Sequence, residues 1–420
     1  MGCGSILSAR CIDPTSTNVA GVMRVINSIG DLRDLARKRI PRAIFDYADR
    51  GAYDEITMER NRADLTALTF RQRVMVDVSQ VTVATEVLGE RWALPVGIAP
   101  TGLAGLFHRD GEIHGARAAL DYGVPFCLST MSICSIEDVS AAVTRPFWFQ
   151  IYLMKDRGFN AELIERARSA KCSALVLTVD MPVQSERRRD AKNGLSIPPR
   201  LTLRNVLDVA TKPGWAFSVP TGRRRTFGNL QSRMRDGGGM TTLAQWIGSQ
   251  FEPSVTWDDI TWIRERWPGK FILKGIMDPE DAHLACVAGV DALVVSNHGG
   301  RQLDGAPSSI SVLAEVCAAV NGRCEILFDG GIQSGQDVLK AVALGASACL
   351  IGKAFLYGLA AQGGVGVTAA LSVIAKELKV SLALTGQTDI RGVRSGVLRP
   401  APPRAPIASG LNSGAITTTL

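Results

Sequence analysis

Eight short apolar runs recur along the chain, and each ends where polar residues begin. They cover residues 94–100, 125–130, 147–152, 174–180, 271–276, 292–297, 325–330 and 348–353. A strand buried on both faces loses the alternation of a half-exposed one and becomes a near-continuous apolar run of this length. Amphipathic helical patterns lie between the runs, at 110–122, 136–143, 161–170, 278–288 and 335–344. Two further helical segments precede the series over 29–48, the second opened by Pro41, and another helical region runs from Lys353 to about Thr385. This alternation predicts an α/β fold, a parallel sheet covered by helices. Eight repeats make a (β/α)8 TIM barrel with N-terminal helices the simplest closure. An open doubly wound sheet is the alternative. The count of eight weighs against it, as does the lack of a G-x-G-x-x-G turn after a strand.

The polar residues fall at the ends of these runs. Ser129, Gln150, Tyr152, Thr178, Asp180, Lys274, His298, Asp329 and Lys353 all stand at or just past a strand's C-terminal end. In a barrel those ends converge on the face that carries the active site. One buried polar residue is an ordinary satisfied core group, but so many on one face point to a binding site.

The densest stretch runs Ser296-Asn297-His298-Gly299-Gly300-Arg301-Gln302-Leu303-Asp304. His298 can exchange a proton near neutral pH. Arg301 offers a planar fork that matches a carboxylate. Gly299 and Gly300 let the backbone turn sharply. A base beside a carboxylate clamp suggests proton abstraction from an organic acid. Taken alone, the stretch is equally a polar loop with a surface histidine and a solvated arginine. Asp329-Gly330-Gly331 and Gly352-Lys353 close the seventh and eighth strands, where barrels commonly hold a phosphate. Glycine exposes backbone N–H groups to an anion and Lys353 adds charge, so a phosphorylated ligand is implied.

Composition changes this picture little. A chain of 420 residues with 46% hydrophobic content can bury one large core. The net charge of +7 fits anionic substrates or an anionic membrane surface, and does not by itself indicate nucleic-acid binding. The nine cysteines are scattered, odd in number and without a C-x-x-C pair, as in reduced core residues of a cytosolic protein. No apolar run has the length of a transmembrane helix, and there is no Walker loop. Residues 1–22 look like a flexible extension, with Met23 a natural alternative start. Met-Gly-Cys-Gly-Ser-Ile departs from a myristoylation signal at Ile6. The single large domain is expected over 23–394, with a proline-rich disordered tail over 395–420.

The gap between the fourth and fifth strands is too long for an ordinary connection. Its insertion, about 193–250, mixes Arg200, Arg204, Lys212, Arg223, Arg224, Arg225, Arg233 and Arg235 with Leu203, Val206, Leu207, Trp215, Phe217 and Phe227. That composition fits a flap lying on anionic lipid. It fits a mobile lid with a solvated basic face equally well.

The run from Ser296 to Asp304, with Lys274-Gly275 before it and Asp329-Gly330-Gly331 after it, resembles the FMN-dependent L-2-hydroxy-acid oxidases and dehydrogenases. The similarity extends from about Val25 to Thr388. The basic insertion looks most like the membrane-associated L-lactate and mandelate dehydrogenase branch. The resemblance implies His298 as the base, with Asp180 stabilising its cation. It implies Arg301, Tyr47 and Arg187 around the substrate carboxylate, and Tyr152 at the substrate hydroxyl. Lys274 would offset negative charge on the flavin, and Pro100, Thr101 and Gly102 would present backbone to its ring. Ser129, Gln150, Thr178 and Ser296 would hydrogen-bond FMN. Asp329, Gly330, Gly331, Gln333, Gly352 and Lys353 would hold ribityl and phosphate.

The implied reaction oxidises an L-2-hydroxy acid, foremost L-lactate to pyruvate, with electrons leaving to a quinone or cytochrome. A homotetramer, peripheral on the inner face of the cell membrane, is implied with it, and neither a metal nor nucleic acid. Four positions depart from related sequences. Lys353 and Gln333 stand where the family usually has Arg. Met131 stands where plant glycolate oxidases carry Trp, and Gly102 where many oxidases have Ala. The alternatives are an oxygen-using oxidase or monooxygenase, an L-mandelate dehydrogenase, a non-catalytic flavin-binding sensor, and a phosphate-binding barrel without redox chemistry.

Overall fold

The computed structural model describes residues 25–193, 202–233 and 250–399. The expectations for the first 22 residues, for the tail beyond 399 and for two parts of the insertion lie outside them. A hairpin of β1 (Thr85–Val87) and β2 (Glu90–Trp92) precedes eight further strands. These are β3 (Val96–Ile98), β4 (Cys127–Ser129), β5 (Trp148–Ile151), β6 (Ala174–Thr178), β7 (Lys270–Ile276), β8 (Ala292–Val295), β9 (Glu325–Asp329) and β10 (Ala348–Ile351). The eight pair in parallel in the order β3-β10-β9-β8-β7-β6-β5-β4. A bridge between Ile98 and Phe126 joins β3 to the start of β4 and closes the ring. The expected barrel is therefore present, and each predicted apolar run overlaps one of its strands.

Alternation along the strands sorts their side chains into two cores. Trp148, Val176, Ile272, Val294, Leu327 and Leu350 belong to the core inside the barrel. Phe149, Leu175, Leu177, Phe271, Leu273, Leu293 and Phe328 belong to the core under the helices. The hairpin adds Val87, Leu88 and Trp92 to the inner core, with the Trp92 ring 5.6 Å from Trp148. Leu88 N donates to Glu325 Oε1 at 2.7 Å. Trp148 and Glu325 begin their strands, so the hairpin plugs the N-terminal mouth and leaves the C-terminal mouth open.

Three helices precede the barrel, α1 (Ile29–Arg39), α2 (Arg42–Asp49) and α3 (Ile56–Ala67), and α2 and α3 supply the rest of that open face. Ser28 and Asp31 form a reciprocal cap that starts α1. Helix α3, the hairpin and the helix Ser309–Val320 were not anticipated from the sequence pattern. The buried face of α3 is mostly polar, made of Thr57, Asn61 and Leu65, so its hydrophobic period is faint.

The described part of the insertion divides in two. The helices Leu203–Ala210 and Pro213–Ser218 leave Leu203, Val206, Leu207 and Phe217 largely exposed. The segment after them packs inward. Leu230 and Asn229 are buried, and Arg224 pairs with Asp110 and Asp138 at 2.7 and 2.8 Å. This half is a fixed wall of the barrel. At the far end the packed chain continues past the boundary expected at 394: Val397 and Leu398 are buried, and Leu398 bridges to Phe70.

Candidate active site

The loop after β8 carries His298 at φ +59°, followed by Gly299 and Gly300 at +65° and +72°. Three successive left-handed residues turn the chain back over the barrel mouth, and at the non-glycine position this conformation is strained. At Gly300 no other residue fits, because a Cβ would lie 2.5 Å from Met58 N. His298 Nδ1 stands 3.0 Å from Asp180 Oδ1 and 3.2 Å from its Oδ2. Asp180 reaches this position across Gly275, whose φ of +109° marks a register shift in β7. A Cβ at Gly275 would sit 2.6 Å from Asp180 Cβ. Burial works to raise the Asp180 carboxyl, but the charges of His298 and Lys274 hold it below the ordinary range.

Beneath His298 lies a buried polar cluster. Lys274 Nζ contacts Ser296 Oγ and Asp329 Oδ2, each at 2.8 Å. Ser296 Oγ donates to Asp329 at 2.9 Å and accepts from His298 N at 3.1 Å. Burial alone would lower the Lys274 ammonium, yet Asp329 and Asp180 keep it above its usual value. Ser296 is fully buried and does not line the cavity. Its hydroxyl orients Lys274, Asp329 and the His298 loop.

A cavity of about 610 Å³ opens over this cluster. Tyr47, Tyr152, Arg187, His298 and Arg301 line one part of it. Pro100, Thr101, Gly102, Ser129 and Lys274 line it too, as do Asp329, Gly331, Gln333, Gly352 and Lys353. The remaining expected residues, Gln150, Thr178, Asp180, Ser296 and Gly330, stand behind this lining. Arg301 Nη1 donates to Tyr47 O and, at 3.0 Å, to Arg50 O. The guanidinium groups of Arg301 and Arg187 lie 4.8 and 5.7 Å from the Tyr47 ring centre. Burial, and then repulsion from Arg187, bring Arg301 down to about 10. Two half-buried cations crowded this way favour an anion between them. Burial and the Asp180 charge push the Tyr152 hydroxyl upward, so it stays a protonated donor.

Two donors at the strand tips are left without partners among the described residues. Gln150 Nε2 and Thr178 Oγ1 are buried and unbonded, although Ser129 Oγ donates to Gln150 Oε1 at 3.0 Å. Leaving such a group unpaired costs about 1–3 kcal/mol. A flavin ring, rich in carbonyl and ring-nitrogen acceptors, matches these orphans. At the opposite end Gly330 and Gly331 adopt φ of +121° and +92°. The Lys353 ammonium there is brought down to about 7 by burial and by Arg301. An anion beside it would restore its charge. The residues present thus fit FMN from ring to phosphate.

Several lining residues escaped the sequence reading: Arg62, Asp190, Phe227 and Phe251. Phe227 and Phe251 lie in and just after the insertion, and the Phe251 ring meets Tyr152 edge-on at 5.4 Å. The Asp190 carboxyl is raised by burial, although Arg301 and Arg187 pull the other way. The spacing Arg187-x-x-Asp190 was a usable signal. Asp304, by contrast, is structural, accepting from Asp54 N and Thr57 N at 3.0 and 2.9 Å where α3 begins.

Comparison with known proteins agrees with this geometry. A family model described as FMN-dependent dehydrogenase matches residues 36–400. An L-lactate dehydrogenase of Caulobacter sp. (strain K31) is 47% identical over 375 residues, covering 89% of this chain and 98% of that protein. One from Acinetobacter baylyi is 45% identical, covering 89% and 97%. Among solved structures, the monotopic membrane protein (S)-mandelate dehydrogenase superposes with a TM-score of 0.85 at 36% identity, covering 89% of this chain and 99% of that one. A mandelate oxidase with benzoyl-formic acid gives 0.75 at 37%, covering 89% and 98%.

Proposed function

The chain belongs to the FMN-dependent dehydrogenase family, and from that premise we propose that it oxidises L-lactate to pyruvate and passes the electrons to a quinone or cytochrome. The observation that carries the reading is the His298–Asp180 pair, set 3.0 Å apart over the cavity that Arg301 and Arg187 also line. The lactate-dehydrogenase relatives at 45–47% identity favour lactate within the family's substrates.

The substrate carboxylate docks on Arg301 with Arg187 and Tyr47 beside it, as two fixed cations and a hydroxyl allow. Asp180 holds His298 Nδ1 and leaves Nε2 to take the substrate proton. The carboxylate then stabilises the imidazolium that forms. Tyr152 donates to the substrate hydroxyl oxygen. FMN held in the cavity would supply the acceptor for the two electrons and the second hydrogen that the hydroxy acid loses on becoming a 2-oxo acid. Gln150 and Thr178 would hold the FMN ring, and Gly331, Gln333, Gly352 and Lys353 its phosphate. Lys274 places a cation where that electron pair brings negative charge. Met131, Phe227 and Phe251 supply apolar wall to the cavity.

The exposed Leu203, Val206, Leu207 and Phe217, with Arg204 and Lys212 between them, support docking on an anionic membrane surface at the inner face of the cell membrane. No helix among the described residues is long and apolar enough to cross a membrane. The similar mandelate enzyme is itself described as a monotopic membrane protein.

The test is turnover with an artificial electron acceptor on L-lactate, glycolate and (S)-mandelate, with peroxide measured in air. The proposal expects the highest kcat/KM on L-lactate and little peroxide. A clear preference for mandelate would overturn the substrate. Stoichiometric peroxide would make the enzyme an oxidase.

A further inference from the structure

Arg62 lies on α3, outside every strand end that marks the active site. The helix is fixed to both loops that build the cavity. Asn61 and Asn297 exchange side-chain hydrogen bonds of 2.9 and 2.8 Å, and Asn61 Oδ1 also accepts from Ser309 N at 3.1 Å. The same helix presses on the glycine turn after β9, where a Cβ at Gly331 would lie 3.1 Å from Asn61 O. Arg62 Nη1 donates to Gly331 O at 2.5 Å and to Asp337 Oδ2 at 2.7 Å. Its Nε and Nη2 have no protein partner among the described residues, and the side chain is 38% exposed.

Arg62 lines the cavity that Gln333, Gly352 and Lys353 also line. Met58 stands one turn before Arg62 on the same helical face, and its Sδ lies 2.8 Å from Lys353 Nζ. Lys353 and Arg62 therefore approach one face of α3. Lys274 is paired with Asp329. Arg187 and Arg301 gather around Tyr47, where the substrate carboxylate is placed.

A phosphate monoester carries close to two negative charges at neutral pH, and one lysine balances half of that. We propose that Arg62 is a direct ligand of the FMN phosphate, giving its Nε–Nη2 edge to the anion while Asp337 and Gly331 O hold the other edge in place. This rests on FMN being the cofactor. Gln333 contributes no charge at this end, and Arg62 supplies it from a helix remote in sequence.

The experiment measures flavin-fluorescence titrations of the FMN-stripped protein with FMN and with riboflavin, which lacks the phosphate. For R62M the FMN Kd should rise about tenfold or more, while the riboflavin Kd changes by less than about twofold. R62K, which keeps the charge but not the fork, should fall between. An unchanged FMN-to-riboflavin preference in R62M would overturn the proposal. So would an equal loss for both flavins, which would make Arg62 only a brace between α3 and the glycine turn. If R62M does not fold, R62K and R62Q decide by the same ratio. Wild-type protein that binds neither flavin would instead overturn the FMN assignment itself.

Discussion

His298 stands at φ +59° with its Nδ1 against Asp180, so its remaining ring nitrogen is committed to one direction. Replacing His298 by Gln removes the base but keeps a polar side chain. It should lower the rate of flavin reduction by roughly 10²–10⁴-fold while the flavin stays bound; rapid-mixing absorbance measures both. K274M removes the buried cation paired with Asp329 at the cavity floor and should cost up to about 3 kcal/mol of stability, read by denaturant unfolding. Lys353 predicts a pH dependence. Its ammonium titrates at 10.5 when unfolded and at about 7 in the folded chain. Between those values the unfolded chain binds more protons, so this group makes stability of the FMN-free protein rise with pH across that window. FMN phosphate restores the proton, so binding at pH 8 should take up protons, measurable by calorimetry in buffers of differing ionisation heat. Zero uptake would contradict the assignment of Lys353 to the phosphate. At this scale the strand-end residues were legible because sequence position alone put them at the barrel mouth. Arg62 and Phe227 were not, since only packing brings their elements there.

Among the elements, the eight strands were legible because burial on both faces writes a continuous apolar run. Helix α3 was not, because its inward face is Thr57, Asn61 and Leu65, held by hydrogen bonds to Leu303 O, Ala306 O and Asn297. The helix Ser309–Val320 carried a readable signal, a Ser308 cap followed by buried Ile310, Leu313, Val316 and Val320. The insertion was half legible. Its basic, amphipathic helices were evident, but the inward half depends on Asn229, whose Oδ1 accepts from Ile136 N at 2.9 Å and whose Nδ2 donates to Ser129 O and Ser132 Oγ. N229A should therefore lower the melting temperature, by an amount equal to about 1–3 kcal/mol. Replacing Leu203, Leu207 and Phe217 together by Glu should leave the fold intact and release the protein from anionic vesicles in a sedimentation assay. Continued binding at wild-type level would exclude this face from membrane docking.

For the whole molecule, a plugged barrel with one open mouth leaves a single face on which eight strand ends, α2, α3 and the inward half of the insertion can meet. That arrangement explains why residues as distant as Tyr47, Arg187 and Arg301 share one cavity. It also orders the proposed site: Arg301, Arg187 and Tyr47 would meet the substrate carboxylate, Lys274 the flavin ring, and the glycine turn after β9 the phosphate. The most direct test is the visible spectrum of the purified protein before and after L-lactate is added without oxygen. The account predicts a flavin spectrum that bleaches on addition. A flavin spectrum that persists with L-lactate would contradict the substrate, and a colourless protein that FMN cannot reconstitute would contradict the reading at its root.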